Sequence, residues 1–299
     1  MLCELTLAAP KHMLCAIACA TFAPDSARPS ILSSAAPNAP VHYFGFGSNM
    51  CRDKVENRAA GSKLELLDFQ PAVVRGHRLA FNMRGFAPLE PGIAGLEPCQ
   101  TSECHGALIT LTAKEYERLM ASEGGTPGDY EEVIVPAVPY AGGEPVHAIA
   151  LRAREHARLD ADACPSERYM RLLIRGAREL GLKPSYIAAL EKQCTQAVPT
   201  GLRQVAIHHL FLVSALFRLH LRSIVRAQSW LLWRAYVPST ERRRLRRLLG
   251  NGATAILLAP GAILGALIRL FMWVSCIPPP PMLAKYANEG FEPRASCCR

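Results

Sequence analysis

Apolar and polar side chains first alternate regularly at Val41. Val41-His-Tyr-Phe-Gly-Phe46 reads as a strand, and Gly47-Ser48-Asn49 breaks it. From Asn49 onward, Asp53, Lys54, Glu56 and Arg58 suit a short helix opening at a Ser/Asn cap. Phe69 to Met83 is rich in β-formers, with Val73, Val74, Leu79 and Phe81 as inward candidates. Arg84 to Glu103 carries enough Pro and Gly to predict a loop. His105 to Leu111 predicts a compact strand. Thr112 to Ala121 predicts a helix capped by Thr112, with Glu115 closing a capping box and Leu119 and Met120 on its apolar side. Glu131 to Pro139 and Val146 to Arg152 predict two more strands. After Pro165-Ser166, the residues Tyr169, Leu172, Leu173, Ile174 and Ala177 recur at helical spacing until Gly181. Pro184 to Cys194 predicts a further helix. Short strands mixed with helices give an α+β class: a small mixed β-barrel flanked by helices, with an α-helical C-terminal extension.

The character changes after Thr200. His208 to Trp233 is long and apolar, and Arg218, Arg222, Arg226 and Arg234 recur on one helical face. A basic run follows at Glu241-Arg-Arg-Arg-Leu-Arg-Arg247. Ala253 to Ile277 is then apolar except for Arg269, with Pro260 inside it. The net charge of +9 has its source here. Residues 200–299 hold 14 basic and 3 acidic side chains, whereas residues 1–199 hold 20 basic and 22 acidic. The division expected is therefore 1–40 as a disordered or targeting extension, 41–199 as a folded domain, and 200–299 as a basic, hydrophobic helical extension. Residues 205–277 are the candidate for membrane contact: the 25-residue apolar run exceeds the ~20 that span a bilayer. A pair of amphipathic helices packing on the domain is the competing reading. The arginine run lacks interleaved aromatics, so no nucleic-acid partner is expected.

Eleven cysteines are scattered without framework spacing. Reduced thiols in an intracellular compartment, cytoplasmic or membrane-associated, are the plainer reading. Residues 1–40 leave organelle targeting open. Cys99, Cys104 and His105 come nearest to metal spacing, but no second pair stands at a zinc-site interval, so no metal is expected.

Three segments carry the candidate chemistry. Tyr43-Phe-Gly-Phe-Gly-Ser-Asn-Met50 is a strand entering a Gly-Ser-Asn turn, where Gly47 permits close approach of a ligand and the turn N–H groups can face an anion. Ser122-Glu-Gly-Gly-Thr-Pro-Gly-Asp-Tyr130 sets a carboxylate among glycines at a helix end. Pro165-Ser-Glu-Arg-Tyr169 opens a helix. Each alone reads equally as ordinary structure. In this order and at these separations the three resemble the γ-glutamylcyclotransferase family, over about Val41 to Pro199.

The resemblance implies a site. Tyr43, Phe44, Gly45, Phe46, Gly47 and Ser48 would form the substrate loop, Glu123 would be the acid/base, and Tyr169 would touch substrate. Asn49 and Tyr130 would support them. Phe46 stands where the family has Tyr, and Gly45 where it has Ala. The implied reaction is intramolecular aminolysis of a small γ-glutamyl amide, giving 5-oxoproline and a free amino acid or amine, with no cofactor. The leaving group, the oligomeric state and the processing of the N-terminus stay open. The alternative is a non-catalytic γ-glutamyl-binding or membrane-tethered module on the same fold.

Overall fold

The computed structural model describes residues 36–58, 62–122, 129–218, 231–232 and 244–274 of the 299. Several expectations lie outside these: most of the N-terminal extension, Glu123, Arg222, Arg226, Arg234 and the start of the basic run.

Five strands close into a barrel in the order β1-β3-β2-β4-β5: β1 (Pro40–Gly45), β2 (Leu66–Phe86), β3 (Glu90–Thr112), β4 (Tyr130–Pro139) and β5 (Val146–Ala153). Neighbours run antiparallel except β1 and β5, which meet in parallel at Tyr43 and Ile149. Closure leaves no free edge among the five. The core is built from Phe44, Val74, Leu96, Ile109, Leu111 and Ile149 of the barrel. Tyr169, Leu173 and Ala177 of a flanking helix pack onto it.

The stretch expected as a Pro/Gly loop, Arg84 to Glu103, is mostly strand. β2 and β3 form one long hairpin whose pairing runs through Met83–Ile93 and Arg84–Gly92 to Phe86–Glu90. Its glycines mark crowding rather than a bend. A Cβ at Gly92 would lie 2.9 Å from the Phe81 carbonyl oxygen, and one at Gly95 would collide with the Asn82 side-chain oxygen.

Two expected helix starts also differ. Ser48–Met50 is a single 3-10 turn, followed by the short α1 (Arg52–Glu56), which has no side-chain cap. Asn49 is instead turned inward and hydrogen-bonded there, so it cannot cap. In α2 (Ala113–Ser122), Thr112 Oγ1 accepts the Glu115 N–H at 3.2 Å as expected. The Glu115 carboxylate does not reach back to close the box. It takes the Glu65 N–H at 3.1 Å and the Arg118 guanidinium at 2.7 Å.

α3 (Glu167–Glu179) opens as the sequence predicts, with Ser166 Oγ accepting the Tyr169 N–H at 3.1 Å. Gly181, at φ +69°, follows its end. α4 (Pro184–Glu191) follows.

In the extension, α5 (Thr200–Arg218) packs against α6 (Arg244–Val274). Ile207, Leu210 and Phe211 meet Leu258 and Met272, and the hairpin tip adds Phe86 and Leu89. Gly261 and Gly265 let the two helices approach closely: a Cβ at either would strike His209 or the His208 carbonyl.

Candidate functional site

The bend after β1 is built by burial. Tyr43, Phe44 and Phe46 are sunk in the core, with the Phe44 and Phe46 rings 6.2 Å apart. Phe44 is 0 % exposed, so a ligand at this bend would meet its backbone, not its ring. With strand and rings fixed, the chain turns at Gly47 into Ser48–Met50, and the Met50 N–H closes on the Gly47 carbonyl at 3.1 Å.

Three tethers hold the bend. In the first, Asn49 Nδ2 donates to the Tyr43 hydroxyl at 2.9 Å, while Asn49 Oδ1 accepts from Arg58 Nη1 at 2.5 Å. Arg58 Nε makes a longer 3.4 Å contact with the Ser122 carbonyl oxygen. A chain of polar contacts therefore runs from Tyr43 to the residue immediately before Glu123.

The second tether is Tyr169. Its hydroxyl accepts the Ala94 N–H at 3.2 Å, and its ring meets Phe81 edge-on. A Cβ at Gly47 would lie 3.1 Å from that hydroxyl and 3.0 Å from the Ala94 Cβ. Gly47, Ala94 and Tyr169 thus converge, and glycine is what permits it.

The third is Gly176. A Cβ there would lie 2.8 Å from the Cys51 nitrogen and 2.9 Å from the Met50 carbonyl carbon, so α3 rests directly on the turn's backbone. Arg175 Nη2 reinforces the contact by donating to Cys51 Sγ at 2.9 Å.

Gly45, which in place of alanine suggests a looser strand, has a tighter role. A Cβ at this position would lie 2.9 Å from the Asn49 Cβ, so glycine leaves room for the inward Asn49. Ser48 is half-buried on the turn. Tyr130 begins β4, half-buried, beyond the undescribed segment 123–128.

The structure thus brings together Tyr43, Gly45, Gly47, Asn49 and Tyr169, while Glu123 lies outside the described residues. Sequence reasoning missed Arg58, Ala94 and Gly176. Gly176 had a signal, because a glycine inside a helix costs about 1 kcal/mol and often marks close packing. Ala94 contributes a backbone N–H and had none.

Away from the bend, an open groove of about 500 Å³ lies on α3 along Arg171, Ile174, Arg175 and Arg178. Its arginines face Glu167, Glu179 and Glu191, so their charge is locally compensated. Among the described residues no three His, Cys, Asp or Glu side chains gather as metal ligands.

A buried aromatic–histidine cluster occupies another part of the barrel. His105 Nδ1 pairs with the Tyr140 hydroxyl at 2.5 Å, and its ring lies 4.6 Å from that of Tyr186. Burial pushes the His105 pKa below its ordinary value. The nearby Lys183 ammonium adds to this and Glu103 opposes it.

Residues 103–190 match the model of the AIG2-like family. The chain is 30% identical over 137 residues to the γ-glutamyl cyclotransferase gliK of Claviceps purpurea, covering 44% of this chain and 61% of that protein. It is 27% identical over 214 residues to gliK of Aspergillus fumigatus, covering 64% of this chain and 75% of that one. A solved γ-glutamyl cyclotransferase superposes with a TM-score of 0.47 at 19% identity, over 56% of this chain and 98% of that structure.

Proposed function

We propose that the chain, which matches the AIG2-like family over residues 103–190 and resembles two γ-glutamyl cyclotransferases, cyclises a small γ-glutamyl amide to 5-oxoproline and releases the amine. The observation that carries this reading is the polar chain Tyr43–Asn49–Arg58–Ser122, which ties the Gly-Ser-Asn bend to the residue preceding Glu123.

In this proposal the substrate's α-amine attacks its own γ-carbonyl carbon. The new C–N bond closes a five-membered ring, and the bond to the leaving nitrogen breaks. Holding the substrate in its bent conformer removes an entropic barrier worth roughly 7–11 kcal/mol. Glu123 takes a proton from the α-ammonium and returns one to the leaving nitrogen. The bend offers backbone N–H groups for the α-carboxylate or the developing oxyanion, a term worth roughly 3–4 kcal/mol per well-placed donor. Arg58 adds a fixed positive charge on the Ser122 side of the bend. Tyr169, braced on Ala94, forms the opposite wall.

The test is to incubate the purified chain with γ-glutamyl-alanine, glutathione and ε-(γ-glutamyl)-lysine and to quantify 5-oxoproline. Product from at least one, lost in Glu123→Gln with the fold intact, supports the reading. Binding of all three without product in the wild-type chain replaces it with a binding module.

We further propose that α6 inserts into a lipid bilayer. Leu249–Val274 is 26 residues long, and its most apolar stretch has a mean hydropathy of 2.1 and is only 28% buried. Ile256, Ile263 and Val274 are 75, 68 and 66% exposed, and with Leu267 they form one lengthwise apolar stripe. A helix of this length reaches about 39 Å, against a hydrocarbon core of about 30 Å. Recovery of the chain in carbonate-washed membranes, and its release by truncation before residue 244, is the expected result. A wild-type chain wholly in the soluble fraction overturns it.

A further inference from the structure

Cys164 and Cys194 belong to none of the contacts around the bend, yet their sulfurs lie 2.7 Å apart. That is only about 0.7 Å beyond a covalent S–S bond. The backbone on either side imposes the approach. The Gln196 N–H donates to the Pro165 carbonyl at 2.9 Å, and Ser166 pairs with Gln196 as a parallel bridge. Two segments thirty residues apart in sequence are thus held in register, one entering α3 and the other leaving α4. Both thiols are free in the structure; Cys194 is exposed and Cys164 half-buried.

We propose that Cys164 and Cys194 are a reversible redox clip, closed to an intramolecular disulfide by hydrogen peroxide and reopened by a dithiol reductant. Cys194, the exposed member, reacts first. Its thiolate attacks one peroxide oxygen, the O–O bond breaks, and the departing hydroxide takes up a proton to leave as water, giving a sulfenic acid. The Cys164 sulfur then attacks the Cys194 sulfur. The S–S bond forms as the S–O bond breaks, and hydroxide leaves with the Cys164 proton as a second water. Two thiols and one peroxide give one disulfide and two waters; both sulfurs are oxidised and both peroxide oxygens reduced. The order suits the environments. Cys164 is pushed up to about 11, chiefly by burial and then by its neighbour Cys194, so it stays a thiol until the sulfenic acid beside it is formed.

The remaining described cysteines are differently engaged. Cys51 is buried against Arg175, Cys99 bonds Ser102, and Cys104 is held at about 12 by burial. The closed clip would cross-link a loop of about 30 residues and pin the N-terminus of α3, two residues before its Ser166 cap.

The test uses the full chain, reduced, desalted, treated with stoichiometric hydrogen peroxide, blocked with N-ethylmaleimide and digested. Mass spectrometry should find the Cys164 peptide joined to the Cys194 peptide, and dithiothreitol should separate them. The melting temperature should rise by about 5–10 °C on oxidation, and by much less in Cys164→Ser and in Cys194→Ser. Separately blocked Cys164 and Cys194 after peroxide, a disulfide from either to another cysteine, or an equal rise in both serine variants would each overturn the proposal. The peptide readout needs no activity, so it stands apart from the cyclotransferase reading.

Discussion

Replacing Gly176 with alanine tests how the bend is held, because the substitution leaves the Tyr169 and Glu123 side chains themselves unaltered. Two effects oppose. In a helix interior alanine is favoured over glycine by about 1 kcal/mol. Against that, the new methyl would lie 2.8 Å from the Cys51 nitrogen, 2.9 Å from the Met50 carbonyl carbon and 3.1 Å from the Met50 Cβ. The first two are backbone atoms and cannot rotate away. Relief requires α3 and the turn to separate by roughly half an ångström, and overpacking of this kind costs about 1–3 kcal/mol. The net is a loss of about 0–2 kcal/mol, a modest fall in melting temperature. Function should suffer more. A misplacement of about 1 Å can cost 10²-fold, so kcat/KM for 5-oxoproline release should fall by roughly tenfold. Gly201→Ala is the control, since nothing lies within 4 Å of a Cβ there; it should leave kcat/KM unchanged. A Gly176→Ala chain that gains stability and keeps full kcat/KM would mean that α3 does not brace the turn.

Other outcomes follow from the same contacts. Arg58→Met removes a donor to the buried Asn49 Oδ1 and should lower kcat/KM several-fold while costing about 1–2 kcal/mol of stability; unchanged steady-state kinetics would remove it from the site. Tyr169→Phe deletes the acceptor for the Ala94 N–H and should cost about 1–2 kcal/mol of stability with a several-fold loss in kcat/KM; an unchanged kcat/KM would take Tyr169 out of the site. For His105, the folded-state pKa is depressed, so its share of stability is complete above the unfolded value of about 6.5 and is lost as pH falls through the lower folded value. Melting temperature should therefore fall between about pH 7 and pH 5, and His105→Gln should flatten that slope even if it lowers the whole curve; an equally steep slope would place the acid sensitivity elsewhere.

What the sequence made legible depended on how each signal arises. The first barrel strand and α3, starting after Pro165-Ser166, follow from periodicity local to those residues, and the structure reproduces them. The long hairpin did not, because Gly92 and Gly95 look like loop residues until the chain crossing them is seen. Glu115 fits a capping box by spacing, but its carboxylate is drawn to Arg118 and to the Glu65 N–H, fifty residues away. Asn49 looks like a helix cap and is instead a buried bridge. For the hairpin glycines and Glu115 a local rule lost to a partner on another element; for Asn49 it lost to Tyr43 and Arg58, near in sequence but not at capping positions.

The tethers are not independent, and that restricts how the bend can move. Tyr169 and Gly176 are seven residues apart on α3, two helical turns, and so lie on one face about 10 Å apart along the axis. One end of that face meets Gly47 through the tyrosine hydroxyl; the other meets Met50 and Cys51 through bare backbone. Three residues of chain thus span the two contacts. A rigid shift of α3 would carry both ends of the turn together and preserve its shape. A tilt about Gly176 would swing Tyr169 away from Gly47 and Ala94 while leaving the Cys51 contact in place. The proposed cysteine clip acts at the Tyr169 end, five residues before it, where a tilt would be largest. Oxidation would therefore oppose the tilt and leave the shift free. Tyr169→Phe and Gly176→Ala should respond differently to peroxide: the first variant, whose lost hydroxyl contact frees the tilt, should recover part of its lost kcat/KM, whereas the second, whose methyl forces a separation that the clip leaves free, should keep most of its deficit. Equal responses in the two would mean that α3 moves only as a rigid unit.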